Sequence, residues 1–198
     1  MPDQDELPHL ILQAAKQCYL HFGVDKTGMQ DIAKQAQLAR STVYRYFATS
    51  DELLLALVSA EMQTMNRELA KKLARFAAPE DIIVEGLLLA LKGIPKHPLL
   101  SQVFAGDNDS ALKRKVWNSP AIIALGTDLI MTTVLQAALE HGQLRRNVRS
   151  EVLIEWVYRI LLSFLSLPSN WIKTDKQLRE TLHALLIPVL LQPRSKNT

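Results

Sequence analysis

The stretch Thr27–Leu53, TGMQDIAKQAQLARSTVYRYFATSDEL, predicts two short helices and the start of a long third helix. Thr27 and Gln30 have the spacing of a capping box, in which each side chain bonds a free backbone amide at a helix start. The apolar residues that follow at helical spacing stop at Gln37-Leu38, so the first helix is too short to be stable alone. A turn and a second short helix come next, and the rest of the chain must supply the packing for both.

The second helix, Arg40–Phe47, is predicted to bury Val43 and Phe47, which lie four residues apart on one face. Its outer face then carries basic, hydroxyl and phenolic side chains: Arg40, Ser41, Thr42, Tyr44 and Arg45. Donors on the exposed start of a second, roughly perpendicular helix are what a helix-turn-helix presents to phosphates and base edges in the major groove. We therefore predict a helix-turn-helix core at about residues 27–47 that binds DNA.

The pattern also extends on both sides of the two short helices. It consists of Phe22-Gly23, Asp31-Ile32-Ala33, Ala36, Thr42-Val43-Tyr44-Arg45-Tyr46-Phe47 and Asp51-Glu52-Leu53-Leu54. Together these residues closely resemble the DNA-binding domain of TetR-type (TetR/AcrR-like) transcriptional regulators. The resemblance covers about the first quarter of the chain and fixes three helix boundaries together with the recognition helix. We expect the outer face of the second helix to contact an operator, with Thr27 and Tyr46 on phosphates.

Three residues depart from the pattern of that family. Gln37 stands where the family usually has a turn glycine, so we expect a strained positive φ there. Ala39 replaces the usual Ser or Thr cap, which lowers helix stability by about 1 kcal/mol. Ser50 stands where a lysine commonly reaches the DNA backbone. These departures predict a modest operator affinity.

The charge distribution agrees with a nucleic-acid partner without demonstrating one. The net charge is +3 and the isoelectric point is near 9. From Lys26 to Arg45 the chain holds four basic side chains and Asp31 as the only acid, whereas acids concentrate in the leader (Asp3, Asp5 and Glu6). An ordinary solvated face is the alternative interpretation of these charges.

Composition places the 198-residue chain in the all-α class, because leucine dominates, glycine and proline cluster at apparent helix ends, and no alternating strand pattern occurs. Cys18 is the only cysteine and shares an apolar helix face, which favours a buried thiol over a redox sensor. The polar, acidic start and the lack of a long uninterrupted apolar stretch predict a cytoplasmic protein with no membrane partner.

A long helix is predicted to connect two domains, residues 1–52 with the helix-turn-helix and residues 53–198 with effector-binding and dimerisation functions. It begins at a capping box of Thr49 and Glu52 and carries an apolar stripe to about Ala77. In TetR-type regulators the corresponding helix links the ligand site to the DNA-binding module. Further helices are expected at 79–91, 120–142, 150–167 and 174–191, with a kink or an end at Pro188. Ser150 is expected to cap the third of these, and Thr174 with Gln177 to form a capping box at the start of the fourth.

Candidate effector-binding residues are large apolar side chains on the long helix or on the helices expected to pack against it. They are Met62, Met65, Phe104, Trp117 and Trp156. Plain packing is the alternative for the two methionines. Lys113-Arg114-Lys115 could touch an anionic ligand group, although solvation is the simpler role, and His97 could face a cavity or act as a capping group.

The last two helices have apolar faces wider than one protomer requires, which predicts a homodimer. The interface residues expected are Trp156, Ile160, Leu178, Leu182, Leu185 and Val189.

No nucleophile elbow, phosphate loop, zinc motif or cysteine cluster occurs, and the five histidines are scattered, so we predict neither an enzyme nor a cofactor or metal. The favoured function is a ligand-responsive regulator, a repressor that binds a palindromic operator as a dimer and is released by a small apolar effector. A helical carrier or partner-binding protein with a vestigial helix-turn-helix is the second hypothesis. A helical enzyme is the third.

Overall fold

The structure, a computed structural model, describes residues 6–104 and 115–192. Its principal helices are α1 (Leu7–Phe22), α2 (Met29–Gln35), α3 (Arg40–Tyr46), α4 (Ser50–Leu73), α5 (Pro79–Gly93), α6 (Leu100–Phe104), α7 (Pro120–Glu140), α8 (Ser150–Ser166) and α9 (residues 175–190). No strand occurs in these two ranges beyond an isolated bridge between Leu144 and Leu191, so the all-α class is confirmed.

Two features of the predicted charge distribution lie outside the described residues: the acidic residues Asp3 and Asp5, and the basic pair Lys113-Arg114. Lys115, the third member of the predicted basic cluster, is described and forms an ion pair with Asp51 at the start of α4.

The start of α2 differs from the prediction. The helix begins at Met29 with Gly28 as its N-cap, and Asp31 Oδ2 accepts a hydrogen bond from the Gly28 amide at 2.9 Å. Thr27 does not pair with Gln30, because its hydroxyl donates to the carbonyl of Gly23 at 2.8 Å. One of the two hydrogen bonds of a capping box is therefore present, but it joins Gly28 and Asp31 instead of Thr27 and Gln30.

The turn between α2 and α3 has the predicted strain. Gln37 has a φ of 55°, and it is the one non-glycine with positive φ among the described residues. Ala39 is the N-cap of α3 and makes no side-chain capping bond. Both departures from the family pattern therefore have the predicted local consequence, a left-handed residue followed by an uncapped helix start.

Helix α4 is the long shared helix. Thr49 Oγ1 accepts from the Glu52 amide at 3.1 Å, which confirms this start signal, while Glu52 Oε2 accepts from the Ala48 amide at 2.8 Å. The helix ends at Leu73, four residues before the predicted end near Ala77. At 24 residues it is about 36 Å long.

Two buried apolar clusters hold the helices together. The first contains residues of α1 to α4 and also Leu99, Leu100 and Ile122, so it crosses the predicted domain boundary at residue 52. The second lies among α5, α7, α8 and α9. Cys18 is buried in the first cluster, as predicted, and burial raises the pKa of its thiol. Helix α4 is thus packed on both the helix-turn-helix and the later helices.

The helices after α6 follow the sequence pattern with two local differences. Ser150 is the first residue of α8 rather than its cap, and the N-cap residue Arg149 makes no side-chain bond. Thr174 and Gln177 form the predicted capping box of α9. A π-helical turn at Leu182–Leu186 precedes Pro188, and α9 ends at Leu190. The irregular turn accommodates a proline that has no amide to donate.

Candidate DNA interface and ligand cavity

Helix α3 is held by its inner face. Val43 is fully buried and Phe47 nearly so, which fixes the orientation of the short helix against α1 and α4. The opposite face leaves Arg40, Ser41, Tyr44 and Arg45 exposed, with Thr42 and Tyr46 half-buried beside them. Six of the seven predicted DNA-binding side chains therefore lie together on one helix.

The two arginines of α3 lie against neighbouring aromatic rings. Arg40 Cζ is 5.2 Å from the centre of the Tyr44 ring, and Arg40 Nη2 donates to the Tyr44 hydroxyl oxygen at 3.1 Å. Arg45 Cζ is 5.2 Å from the centre of the Tyr46 ring. Cation–π contacts of this kind hold the guanidinium groups close to the helix surface. Tyr44 still has its own hydroxyl proton to donate to a phosphate oxygen.

Thr27 does not fit the predicted phosphate contact. The residue is 9% exposed, and its single hydroxyl proton is donated to the carbonyl of Gly23. A phosphate oxygen can only accept a hydrogen bond, so Thr27 has no side-chain donor left for it in this arrangement. The structure instead gives Thr27 the role of fixing the turn before α2.

The flanks of the recognition helix are basic. Lys26 and Lys34 are exposed, and the carboxylate of Asp31 is turned onto the amide of Gly28.

An apolar cavity lies between α4, α5, α6, α7 and α8. Its empty space, counted together with its opening to solvent, is about 710 Å³. The residues that line it include the predicted Met62, Met65 and Phe104, together with Gly126 and Tyr158. The long helix that starts at the helix-turn-helix therefore forms one wall of the cavity.

The two predicted tryptophans lie elsewhere. The indole nitrogen of Trp117 donates to the carbonyl of Val103 at 3.0 Å, and Trp117 packs on the first buried cluster. Trp156 is exposed on α8, whereas its neighbours Val157 and Tyr158 line the cavity. The prediction identified a tryptophan of the correct helix but the wrong helix face.

A polar bridge that was not predicted from the sequence joins α1, α4 and the start of α6. Glu61 of α4 accepts from Lys16 Nζ at 2.7 and 2.9 Å, and His97 Nε2 is 3.0 Å from Glu61 Oε2. His97 Nδ1 accepts from the Leu100 amide at 3.2 Å, which caps α6. His97 is therefore a capping group with an acid beside it. No local sequence signal could have found this acid, because Glu61 lies 36 positions earlier in the chain.

Tyr158 was also missed. It is 9% exposed, its hydroxyl oxygen is buried without a hydrogen-bond partner among the described residues, and burial raises the pKa of the phenol. Its ring lies against Gly126 of α7, where a Cβ atom would be 3.1 Å from Tyr158 Cε2. A tyrosine on the apolar face of α8 was the available sequence signal.

The predicted dimer residues divide into two groups. Trp156, Leu185 and Val189 are exposed, and Ile160 and Leu178 are half-buried. Leu182 is 3% exposed and belongs to the second buried cluster. Leu182 therefore packs inside its own protomer and is not available to a partner.

In residues 6–104 and 115–192, no three His, Cys, Asp or Glu side chains are grouped so that they could hold a metal ion. Within the same ranges, α7 is long and apolar enough to cross a membrane by length and composition alone. Core helices pass the same test, and Ile122, Val134 and Leu135 of α7 are buried against other helices.

These features define a class of architecture: a helix-turn-helix module joined through a long helix to a helical domain that contains a cavity. Residues 11–57 match the family described as bacterial regulatory proteins, tetR family. An uncharacterized HTH-type transcriptional regulator of Mycobacterium tuberculosis is 26% identical over 160 residues, which cover 81% of this chain and 75% of that protein. Residues 11–57 therefore carry the sequence pattern of the tetR family model, and the protein that the chain matches over most of its length is described as an HTH-type transcriptional regulator.

Solved structures share the fold over nearly the whole chain. A TetR-family transcriptional regulator from Pectobacterium atrosepticum superposes with a TM-score of 0.68 at 19% identity, covering 96% of this chain and 97% of that one. Thermus thermophilus FadR, a TetR-family repressor in complex with lauroyl-CoA, gives a TM-score of 0.66 at 21% identity and covers 96% and 99%. The described residues therefore share the fold of these two regulators.

Proposed function

We propose that this regulator is a repressor that binds a palindromic operator as a homodimer and is released when an apolar small molecule enters the cavity. The observation that carries the proposal is that α4 forms a wall of the cavity and begins at Ser50, four residues after the recognition helix α3 ends at Tyr46. We assign DNA binding to residues 1–52, effector binding and dimerisation to residues 53–198, and the site of action to the cytoplasm.

The DNA contacts proposed are Arg40, Ser41, Thr42, Tyr44, Arg45 and Tyr46. Basic and hydroxyl donors on one exposed helix face suit the phosphates and base edges of a major groove. One helix of seven residues reads few bases, so a second copy must enter the next groove. The two copies must then lie about 34 to 36 Å apart, or a multiple of that distance.

A two-fold dimer through α8 and α9 would supply this spacing. The exposed apolar residues Trp156, Leu185 and Val189, with the half-buried Ile160 and Leu178, form the proposed interface. An exposed apolar face on two adjacent helices is typical of a protein contact surface.

An effector in the cavity would touch α4 together with α5, α6, α7 and α8. FadR from Thermus thermophilus, which has the same fold, holds lauroyl-CoA, and this supports a small-molecule effector here. A ligand that prefers one position of α4 shifts the distance between the two recognition helices. A coupling of about 1 to 3 kcal/mol would weaken operator binding roughly 5- to 150-fold.

The proposal is tested with DNA from upstream of the protein's own gene. The purified protein should retard this DNA, and the affinity should fall steeply with salt, because lysines and arginines release counterions from phosphates. Calorimetry with and without saturating operator then measures effector affinity. Thermodynamic reciprocity requires the operator to weaken effector binding by the same factor by which the effector weakens operator binding. Equal effector affinities in the two titrations would refute the coupling.

A ligand carrier with a vestigial helix-turn-helix is the second candidate. It is favoured by the left-handed Gln37, the uncapped α3 at Ala39 and the absence of a lysine at Ser50. Binding of the effector without any salt-sensitive retardation of DNA would support it over the repressor.

A further inference from the structure

We propose that Trp171, in the loop that joins α8 to α9, is an anchor of the dimer interface and is buried against a second copy of this chain. This inference rests on the proposed homodimer. It extends the interface beyond the two helices to residues 167–172 and names the side chain that contributes most to it.

Trp171 is the most exposed large apolar side chain among the described residues. It is 87% exposed, and Leu167, at the start of the same loop, is 64% exposed. An indole ring left in water is unfavourable, and tryptophan is enriched among the residues that contribute most to protein interfaces. Two such side chains on one loop therefore indicate a contact surface.

The loop has a defined backbone conformation. Ser169 Oγ accepts from the amides of Trp171 and Ile172 at 3.2 and 3.0 Å. Gln177 Oε1, in the capping box of α9, accepts from the Lys173 amide at 2.9 Å. Side-chain hydrogen bonds thus restrain the backbone that carries the indole. A preorganised aromatic side chain loses little conformational entropy when it is buried at an interface.

An apolar stripe on α8 leads to this loop. Its residues recur at steps of four, four and seven, so they share one side of the helix: Val152, Trp156, Ile160 and Leu167. Ile160 is half-buried and the other three are exposed. The stripe includes two residues of the proposed interface and ends four residues before Trp171. The loop is therefore continuous with the face proposed for the dimer.

The exposed apolar area also favours an interface that includes the loop. A standard interface buries about 800 Å² per protomer, and because homodimer interfaces are about 65% apolar, it needs roughly 500 Å² of apolar surface. The exposed apolar side chains of α8 and α9 offer roughly 400 Å²: Val152, Trp156, Leu185 and Val189. Leu167 and Trp171 add roughly 350 Å². The helices alone fall short of a standard interface, and the helices with the loop exceed it.

The charges on this face favour a second copy over a different partner. Every Asp, Glu, Lys and Arg of α8 and α9, both of which are described in full, forms an ion pair within the protomer: Glu151 with Arg149, Glu155 with Arg159, Asp175 with Lys92, Lys176 with Glu180, and Arg179 with Glu85. Two copies of one surface present like charges to each other across a two-fold axis. Because these charges are compensated inside each protomer, two copies can approach without net repulsion.

The test compares dimer dissociation constants, measured by sedimentation equilibrium, for the wild type, Trp171→Ala and the control Phe22→Ala. Phe22 is an aromatic residue at the end of α1, outside the proposed interface, and is 53% exposed. We expect Trp171→Ala to raise the dissociation constant about 30-fold and Phe22→Ala to leave it unchanged. Circular dichroism should show the wild-type helix content in both variants, because neither side chain is buried within the protomer.

A second measurement follows the indole ring itself. The difference between the fluorescence of the wild type and that of Trp171→Phe isolates the signal of Trp171. We expect acrylamide to quench this signal weakly at concentrations where the protein is a dimer, and strongly after dilution below the dissociation constant.

An unchanged dissociation constant in Trp171→Ala, or strong quenching of Trp171 in the dimer, would overturn the inference. If Leu185→Glu is then monomeric, the interface is limited to the helices and the proposed homodimer stands. A wild type that is monomeric at micromolar concentration, or a dimeric Leu185→Glu protein, would overturn the proposed interface and the inference with it.

Discussion

Lys16 Nζ lies 2.7 Å from Glu61 Oε1, so the first helix of the DNA-binding module is tied to the middle of α4. The same carboxylate is 3.0 Å from Nε2 of His97, which caps α6 through the Leu100 amide. Leu100 and Phe104 of α6 line the cavity. Under the proposed function, a ligand that displaces α6 would act on α1 through the Glu61 carboxylate, in addition to the direct connection along α4.

Lys16→Met tests whether this bridge transmits the ligand signal. The variant keeps the apolar stem of the side chain and removes the charge. Lys16 is 37% exposed, so solvent screening limits the loss of stability to about 1 kcal/mol or less. We expect the effector to weaken operator binding by a smaller factor than in the wild type. Operator affinity is measured with and without effector by fluorescence anisotropy.

Lys71→Met is the matched control for the bridge. Lys71 pairs with Glu68 on the exposed side of the same helix, with both side chains more than half exposed. This variant should keep the wild-type coupling factor. If Lys16→Met also kept it, the bridge would be structural and the signal would travel through α4 alone.

Substitutions on the recognition helix should lower operator affinity in two different ways. Arg40→Ala should cost about 1 to 3 kcal/mol in operator binding and relax sequence preference at one position, because an arginine reads a base edge. Tyr44→Phe should weaken binding to all sequences alike, because we propose that its hydroxyl donates to a phosphate, which is the same for every base pair. Competition titrations against single-base operator variants separate the two patterns. Unchanged binding in both variants would remove α3 from the DNA interface.

Substitutions at Leu185 and Leu182 can distinguish an effect on dimer formation from an effect on folding stability. Leu185 is 69% exposed on α9, and Leu185→Glu should give a folded monomer that binds operator poorly, as measured by light scattering and mobility shift. Leu182→Ala should instead lower the free energy of unfolding by about 2 to 5 kcal/mol, because Leu182 is 3% exposed. A dimeric Leu185→Glu protein would exclude this face as the interface.

Local signals in the sequence predicted local structure well. Sequence spacing was enough to predict the capping bonds at Thr49 and Thr174 and the left-handed conformation of Gln37, because each involves only residues that are close in the chain. The box at Thr27 failed because Asp31, one residue beyond Gln30, offered a charged acceptor to the Gly28 amide. A charged acceptor makes the stronger bond, and two overlapping patterns cannot be ranked from spacing alone.

Features that join distant segments could not be predicted in the same way. Lys16 and Glu61 are 45 residues apart, and their contact depends on how α1 crosses α4. Which side of α8 faces the cavity depends on how the helix is rotated about its own axis. In the structure this rotation places Val157 and Tyr158 at the cavity and leaves the preceding residue, Trp156, exposed to solvent. Helical periodicity identifies an apolar face, but a face broad enough for a core and a dimer interface leaves that rotation open.

Gln37→Gly should stabilise the protein. A glutamine at φ 55° is strained, whereas glycine adopts this conformation freely. The relief of about 1 kcal/mol is partly offset by the greater freedom of glycine in the unfolded chain. We expect a net gain of about 0.5 kcal/mol in urea unfolding. The control is Lys34→Gly inside α2, which should lose about 1 kcal/mol.

The buried tyrosines predict how stability changes in alkaline solution. Burial is the main cause that raises the pKa of Tyr19, and it also raises the pKa of Tyr158. Each contribution to stability is fully present below the ordinary tyrosine pKa of about 10, because both phenols are then protonated in the folded and unfolded states. Above that pH the unfolded chain loses these protons first. Each tyrosine therefore lowers the free energy of unfolding by about 1.4 kcal/mol per pH unit until its folded-state pKa is reached.

Tyr19→Phe should make the decline between about pH 10 and 11 shallower by that amount, as measured by urea unfolding at several pH values. The same slope in the variant and the wild type would show that Tyr19 ionises in the folded protein at its ordinary pKa.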